Sequence, residues 1–179
     1  MQQLRVSVFL GVSLDGYLAR EDGSLDWLSL VQTDPVEDTG YEAFMASIDA
    51  LLVGRHTYET ALTFDPWPYK GKRVVVLTSR PAVSRHGETF SHDSLPSVVK
   101  QLREEGVNRI YLDGGATIRQ GLQAGIVTNM TLSWVPLLLG SGIPLFEKGL
   151  PEIHWHLQSS RSFPSGLLQA TYVARTAPS

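Results

Sequence analysis

No cysteine occurs among the 179 residues, so disulfides and thiolate chemistry are excluded. Charge of one sign is missing as well. Fifteen basic residues stand against 18 acidic ones, for a formal net charge of −3, and the lysines and arginines are dispersed along the chain. With no basic stripe to follow a phosphodiester backbone, nucleic acid is not an expected partner. Apolar runs stay short and no charged-then-apolar leader opens the chain. A membrane span and a secretory signal are therefore unexpected, and the cytoplasm is the default compartment. Internal repeats and low-complexity segments are lacking too. What remains, an apolar share of 42% with 18% charged residues, is ordinary for one compact domain. It is expected over residues 1–175, with a loose tail at 176–179.

Strand-like and helix-like segments alternate along the chain. Leu4 to Ser13 has strand periodicity, and Leu14 to Ser29 reads as a loop with Gly16 and Gly23 as turn residues. Asp34 and Glu37 form a capping-box pattern around Pro35, and Tyr41, Phe44, Met45 and Ile48 then share a helical face. Ala50 to Val53 is a buried strand, followed by a helix from near Arg55 that ends before Pro66. Arg73 to Leu77 is the next strand. Leu95, Val98, Val99 and Leu102 mark a helix stopped by Gly106, and Arg109 to Leu112 a further strand. Ala116 to Gln123 is a short helix. Thr128 to Val135, Ile153 to Phe163 and Leu167 to Ala174 complete the strands, the last two joined in a hairpin by Pro164-Ser165-Gly166. The pattern predicts a mostly parallel α/β sheet with helices on both faces and an antiparallel hairpin at its edge.

Function is most legible at two glycine turns. Gly54, Arg55, His56, Thr57, Tyr58 and Glu59 follow the first buried strand. A strand that ends in glycine and enters a helix leaves backbone N–H groups pointing outward, and two cationic side chains here oppose the helix dipole unless an anion lies beside them. Asp113, Gly114, Gly115, Ala116 and Thr117 repeat the strand, turn and helix start. Leu77, Thr78, Ser79 and Arg80, at another strand end, offer two hydroxyls and a guanidinium suited to a terminal phosphate. Separated anion sites of this kind point to a long ligand with several phosphates.

These three segments resemble, in order and spacing, the NADPH-binding segments of the dihydrofolate reductase-like superfamily. Val12-Ser13-Leu14-Asp15-Gly16-Tyr17-Leu18-Ala19 and Pro136 to Phe146 are closer to one branch of it, the reductase domain of the bifunctional riboflavin-biosynthesis deaminase/reductase. The resemblance implies a dihydrofolate reductase-like fold and NADPH-dependent reduction of a small heterocycle, similar to 5-amino-6-(5-phosphoribosylamino)uracil. It implies cofactor contacts at Ser13, Gly16, Gly54, Arg55, His56, Thr57, Leu77, Thr78, Ser79, Arg80, Gly114, Gly115, Ala116 and Thr117. Asp113, at a strand end beside the glycine turn, and Asp15 are the implied catalytic acids. Asp26 and Trp27, in the loop that covers the active site of this fold, and Phe44, on the first helix, are implied substrate contacts. It also implies a homodimer that pairs near Thr128 to Val135 and the loop through Phe146, and a reductase without the zinc-binding deaminase half.

Alternatives stay open beside that reading. Gly114-Gly115 is also a plain tight turn, Asp113 a surface or capping carboxylate, and Asp15-Gly16 a common turn pair. Phe44 and Trp27 are equally core residues. Gly40 stands where dihydrofolate reductases carry the pterin-binding carboxylate, with Asp38 and Glu42 displaced from it, which turns the expectation away from folate. His154 and His156 share a strand face, but no third ligand lies near in sequence, and no metal is expected. A non-catalytic NADPH-binding regulator, a pterin reductase and a structural oligomer with decayed phosphate sites are the competing functions.

Overall fold

The structure, a computed structural model, describes residues 3–80 and 82–175; the expected tail at 176–179 lies outside them. In chain order the elements are β1 (Arg5–Ser13), β2 (Tyr17–Ala19), a 3-10 turn (Asp26–Val31), α1 (Tyr41–Ser47), β3 (Ala50–Gly54), α2 (Arg55–Ala61), β4 (Arg73–Leu77) and β5 (Thr89–Ser91). They continue as α3 (Leu95–Glu104), β6 (Arg109–Asp113), α4 (Gly115–Gln123), β7 (Asn129–Val135), β8 (Ile143–Pro144), β9 (Trp155–Ser162) and β10 (Leu168–Ala174). Eight strands form one sheet in the order β5-β4-β3-β6-β1-β7-β10-β9. Pairing is parallel from β5 to β7 and antiparallel across β7, β10 and β9.

Alternation along the central strands divides the core into two layers. Ala50 and Leu52 of β3 pack with Leu95, Val98, Val99 and Leu102 of α3 and with Ile118 and Leu122 of α4. Leu51 and Val53 face the opposite way, against Tyr58 and Ala61 of α2, with Phe44 and Met45 of α1 at the margin. Each fully buried aliphatic side chain contributes about 1.5–3 kcal/mol of burial. The apolar stripe of α3, capped where the Ser94 side chain accepts from Ser97 N–H, is therefore enough to hold that helix on the sheet. The mostly parallel sheet, helices on both faces and C-terminal hairpin are as predicted.

Several elements differ from expectation. The capping-box reading of Asp34 and Glu37 does not hold: α1 begins at Tyr41, with Gly40 as its N-cap at φ 78°. Glu37 is engaged elsewhere, its carboxylate accepting from Ser165 N–H at 3.0 Å and Ser165 Oγ at 2.5 Å. Asp38 accepts from Gly40 N–H at 2.8 Å. The loop expected from Leu14 to Ser29 contains β2, which pairs with β8 more than 120 residues away, and the start of the 3-10 turn. The short edge strand β5 was not expected; it is held by parallel pairing to β4. β7 lies between β1 and β10 and is mostly buried within its own chain, so its apolar residues are core and not the expected subunit contact. His154 precedes β9 and pairs with Glu152 at 2.9 Å. Among the described residues no group of three metal-ligating side chains is found, and no helix is long and apolar enough to cross a membrane.

One buried carboxylate ties α2 to the segment before β5. Glu88 is 4% exposed and accepts from Tyr58 Oη at 2.5 Å, Arg85 N–H at 2.7 Å and His86 N–H at 2.7 Å. Burial alone raises its pKa, but these donors together hold it down to about 2. A depressed folded-state pKa contributes stability above the unfolded value that is lost as pH falls through the folded one. Glu88→Gln is therefore expected to cost about 1–3 kcal/mol near pH 7, with the gap to wild type closing as the pH drops toward 2. Urea melts at several pH values check this.

Candidate active site

The three segments singled out in the sequence end adjacent strands of the sheet. In the parallel register Gly54 of β3 lies opposite Leu77 of β4, and Val53 opposite Asp113 of β6. Connections lead outward from β3 to β5 on one side and from β6 past β1 to β7 on the other. Open α/β sheets form their ligand crevice where connections diverge in this way, outside the carboxyl ends of the strands. Here it is a cleft of about 990 Å³. It is lined by Gly54 to Thr57 and Gly114 to Arg119, and by the apolar side chains Leu10, Leu25, Leu28, Val31, Val135 and Leu167.

The glycine turns interlock. A Cβ on Gly114, which has φ 93°, would overlap Thr57 Oγ1, and one on Gly54 would lie 3.2 Å from Thr117 Oγ1. One on Gly115 would come within 2.9 Å of Leu18 Cδ1 and 2.8 Å of an Arg119 nitrogen. Glycine at these positions brings the starts of α2 and α4 side by side with bare backbone toward the cleft. Arg119 is held by Glu147 at 2.9 Å and by the Pro144 carbonyl, and Arg55 by Glu59 at 2.6 Å.

Asp113, at the end of β6, lines the same cleft. Its Oδ2 accepts from Tyr69 Oη at 2.6 Å, and Tyr111, two residues earlier on the same face of β6, donates to the Phe9 carbonyl at 2.9 Å. Burial raises the Asp113 pKa above the usual carboxylate range; hydrogen bonds from Tyr69 and Gly114 N–H, and the nearby Tyr111 hydroxyl, oppose that only in part. Tyr41, also lining the cleft, is pushed up to about 12 by burial and then by the neighbouring Asp113. A carboxyl in this setting carries its proton to higher pH than a solvated aspartate.

A family model described as the RibD C-terminal domain matches residues 5–169. The chain belongs to that family. A solved structure of a putative riboflavin biosynthesis protein from Shewanella sp. PV-4 is 34% identical with a TM-score of 0.90, covering 97% of this chain and all (100%) of that one. The uncharacterized protein YwjB of Bacillus subtilis (strain 168) is 31% identical over 159 residues, 87% of this chain and 90% of that protein. RibD of Acinetobacter baumannii, 17% identical with a TM-score of 0.70, shares the fold; the match spans 97% of this chain and 59% of that one. The sheet is thus the dihydrofolate reductase-like sheet expected from the motifs.

In this RibD C-terminal domain the cleft gathers Gly54, Arg55, His56, Thr57, Asp113, Gly114, Gly115, Ala116 and Thr117. The other residues singled out in the sequence lie outside its lining. Leu77, Thr78, Ser79 and Arg80 are one strand further along; Thr78 Oγ1 accepts from Arg80 N–H at 3.2 Å, and the Arg80 carbonyl accepts from Arg55 at 3.4 Å. Buried Ser13 donates to Asp15 Oδ1 at 2.6 Å, and Asp15 also accepts from Leu139 and Gly140 N–H. These bonds, Ser13 foremost, hold the Asp15 carboxyl below its ordinary range, so it is ionised at neutral pH and serves to tie two loops. Gly16 turns that loop, its carbonyl accepting from Leu145 N–H. Asp26 is exposed and paired with Arg20 at 2.6 Å. Trp27 is buried against Val135 and Leu167, and Phe44 stacks on Phe9 at 4.9 Å. Trp27 is a core residue, and Phe44 packs at the core's margin.

Sequence reasoning missed Tyr41, Tyr69, Tyr111, Thr39, Gln32 and Ser133 near the cleft. Tyr111 was within reach, because i and i+2 on a strand share a face with Asp113. Tyr69 comes from an irregular segment and carries no periodic signal.

Proposed function

We propose that this RibD C-terminal domain is an NADPH-dependent reductase of a small heterocycle. Its reaction is of the kind named for a Thermotoga maritima structure of the same fold, a 5-amino-6-(5-phosphoribosylamino)uracil reductase. The observation that carries the reading is Asp113, a carboxyl with a raised pKa, bonded to Tyr69 and lining one cleft together with the strand-end glycine turns and apolar side chains.

The residues present fit the cofactor. A Cβ at Gly54 would crowd Thr117, and one at Gly115 would crowd Leu18 and Arg119, so glycine keeps both turns close-packed at the cleft wall, where Arg55, His56, Thr57 and Thr117 line the cleft beside them. When bound, NADPH supplies the hydride. The chain does the rest: Leu25, Leu28, Val31, Val135 and Leu167 exclude water from the reacting end. Asp113 holds a proton at its carboxyl for the atom that gains charge as the substrate is reduced. Thr39, Gln32 and Ser133 offer neutral hydrogen bonds to the substrate ring. Asp38 is spent on Gly40 N–H, which supports a substrate other than folate.

Arg55, with Ser79 and Arg80 at the adjoining strand end, favours the cofactor that bears an extra phosphate. NADPH should bind about 10–100-fold more tightly than NADH, the equivalent of a charge-assisted hydrogen bond, and Arg55→Ala should remove most of that preference. Fluorescence titration of both cofactors measures it; equal affinities in wild type contradict the assignment. Stopped-flow oxidation of NADPH with the phosphoribosylaminouracil and with dihydropterin as acceptors tests the reaction itself. Tight NADPH binding without turnover of any acceptor favours the regulator.

Assembly as a homodimer also belongs to this proposal. β9 is the outer strand of the sheet, paired to β10 on one side only among the described residues, and Leu138, Phe146, Leu157 and Leu168 are each about half exposed or more, at 68%, 50%, 49% and 49%. Such side chains beside an open sheet edge favour association with a second copy. Light scattering at micromolar concentration is expected to give twice the chain mass, and Leu157→Lys to give monomer.

A further inference from the structure

Asp113 does not stand alone in its corner of the cleft. Tyr69 reaches it from the irregular segment between α2 and β4, is 5% exposed, and places Oη 2.6 Å from Asp113 Oδ2. Its ring is braced. Trp67 meets Tyr69 edge-on at 5.2 Å, lies flat on His86 at 4.4 Å and meets Tyr58 edge-on at 6.2 Å. Tyr58 is itself bonded to buried Glu88. Swinging Tyr69 away from Asp113 therefore means taking apart a cluster that joins α2 to the segment before β5.

We propose that Tyr69 is a positioning residue that sets both the direction and the protonation of Asp113, occupying Oδ2 so that the carboxyl presents its other oxygen to the substrate end of the cleft. This deepens the reading of Asp113 as the proton donor and rests on it. Two opposed effects act on the carboxyl. Burial favours the protonated form, whereas the Tyr69 hydroxyl favours the ionised one by donating to it. Tyr69 keeps its own proton through the working range, because burial and then the facing carboxylate raise its pKa.

The other groups around Asp113 are Tyr111 of β6, Tyr41 of α1 and the Gly114 N–H. The basic side chains lining the same cleft are Arg55, His56 and Arg119, of which Arg55 and Arg119 are each paired to a glutamate. None of these replaces the Tyr69 bond to Oδ2.

Tyr69→Phe isolates the effect, since it keeps the ring against Trp67 and removes only the hydroxyl. Carboxyl carbon NMR of Asp113 in the cofactor-free protein reads protonation without any substrate, and the midpoint is expected to move to higher pH in the variant. With substrate, kcat is expected to fall about 10-fold or more at the variant's own optimum. KM and NADPH affinity should stay within about twofold, and the limb of the pH profile that Asp113→Asn abolishes should move upward in step. An unmoved NMR midpoint overturns the proposal, as does a loss confined to melting temperature or NADPH affinity. A moved midpoint beside a fully active Asp113→Asn sustains the hold of Tyr69 on Asp113 and overturns instead the reading of Asp113 as the acid.

Discussion

Gly114→Ala is expected to abolish measurable NADPH binding and to lower the melting temperature by several degrees. Gly114 sits at φ 93°, ψ 139°, a region that side-chain-bearing residues occupy only at a cost of about 1–3 kcal/mol. The added methyl would also overlap Thr57 Oγ1 and press on Thr57 Cβ at 3.1 Å, adding about 1–3 kcal/mol. Either α2 or the turn must shift, and the shift falls on the surface proposed to face the cofactor. Gly87→Ala is the matched control: its φ of 88° is similar, but nothing lies within 4 Å of the new methyl, so only the backbone cost applies and NADPH affinity should not change. Adding Thr57→Ala to Gly114→Ala should recover part of the stability by removing the overlapping hydroxyl. Thermal melts and fluorescence titration together read these effects. A Gly114→Ala protein that binds NADPH as wild type does would show that the cofactor lies elsewhere.

Asp113→Asn is expected to lower turnover by about 10²–10⁴-fold, the usual worth of a general acid, with NADPH affinity nearly unchanged. The same substitution should stabilise the cofactor-free protein at neutral pH. The sign follows from linkage: a carboxyl whose folded pKa is raised contributes stability that is fully present below the unfolded pKa and is lost as pH rises through the folded value. Once ionised, the carboxylate is thus a burden on the fold, and a neutral amide of the same shape escapes it while still accepting from Tyr69. The melting-temperature gain should shrink as pH falls toward the ordinary aspartate range. A variant less stable than wild type at pH 7 would indicate that Asp113 serves mainly to hold the glycine turn.

Where sequence and structure agree, the signal was local. Ala50 to Val53 reads as a buried strand because every residue is apolar within a span too short for a helix, and it is one. Leu95, Val98, Val99 and Leu102 recur at helical spacing and form the buried stripe of α3. The glycine turns announce themselves because a strand, a residue without Cβ and a helix start are consecutive in the chain. Where they disagree, a distant partner took the group that the local pattern had assigned. Glu37 bonds Ser165 and not the start of α1. Asp15, chosen as an acid, is bound by the amides of Leu139 and Gly140. Trp27 packs against Val135 and Leu167.

The sequence by itself therefore determined the layered α/β fold, the family motifs and the half of the cleft built from strand-end glycines, all carried by neighbours in the chain. Only the tertiary structure decided which carboxylate has its pKa raised and which has it lowered. Asp15 and Asp113 each sit near the end of a strand beside a glycine, and nothing local separates them. One is ringed by donors at the surface and kept ionised; the other is enclosed among three tyrosines from α1, β6 and the segment before β4 and kept nearer to neutral. Protonation depends on solvent exclusion and on who donates to whom, and both are set by residues that meet only when the sheet closes.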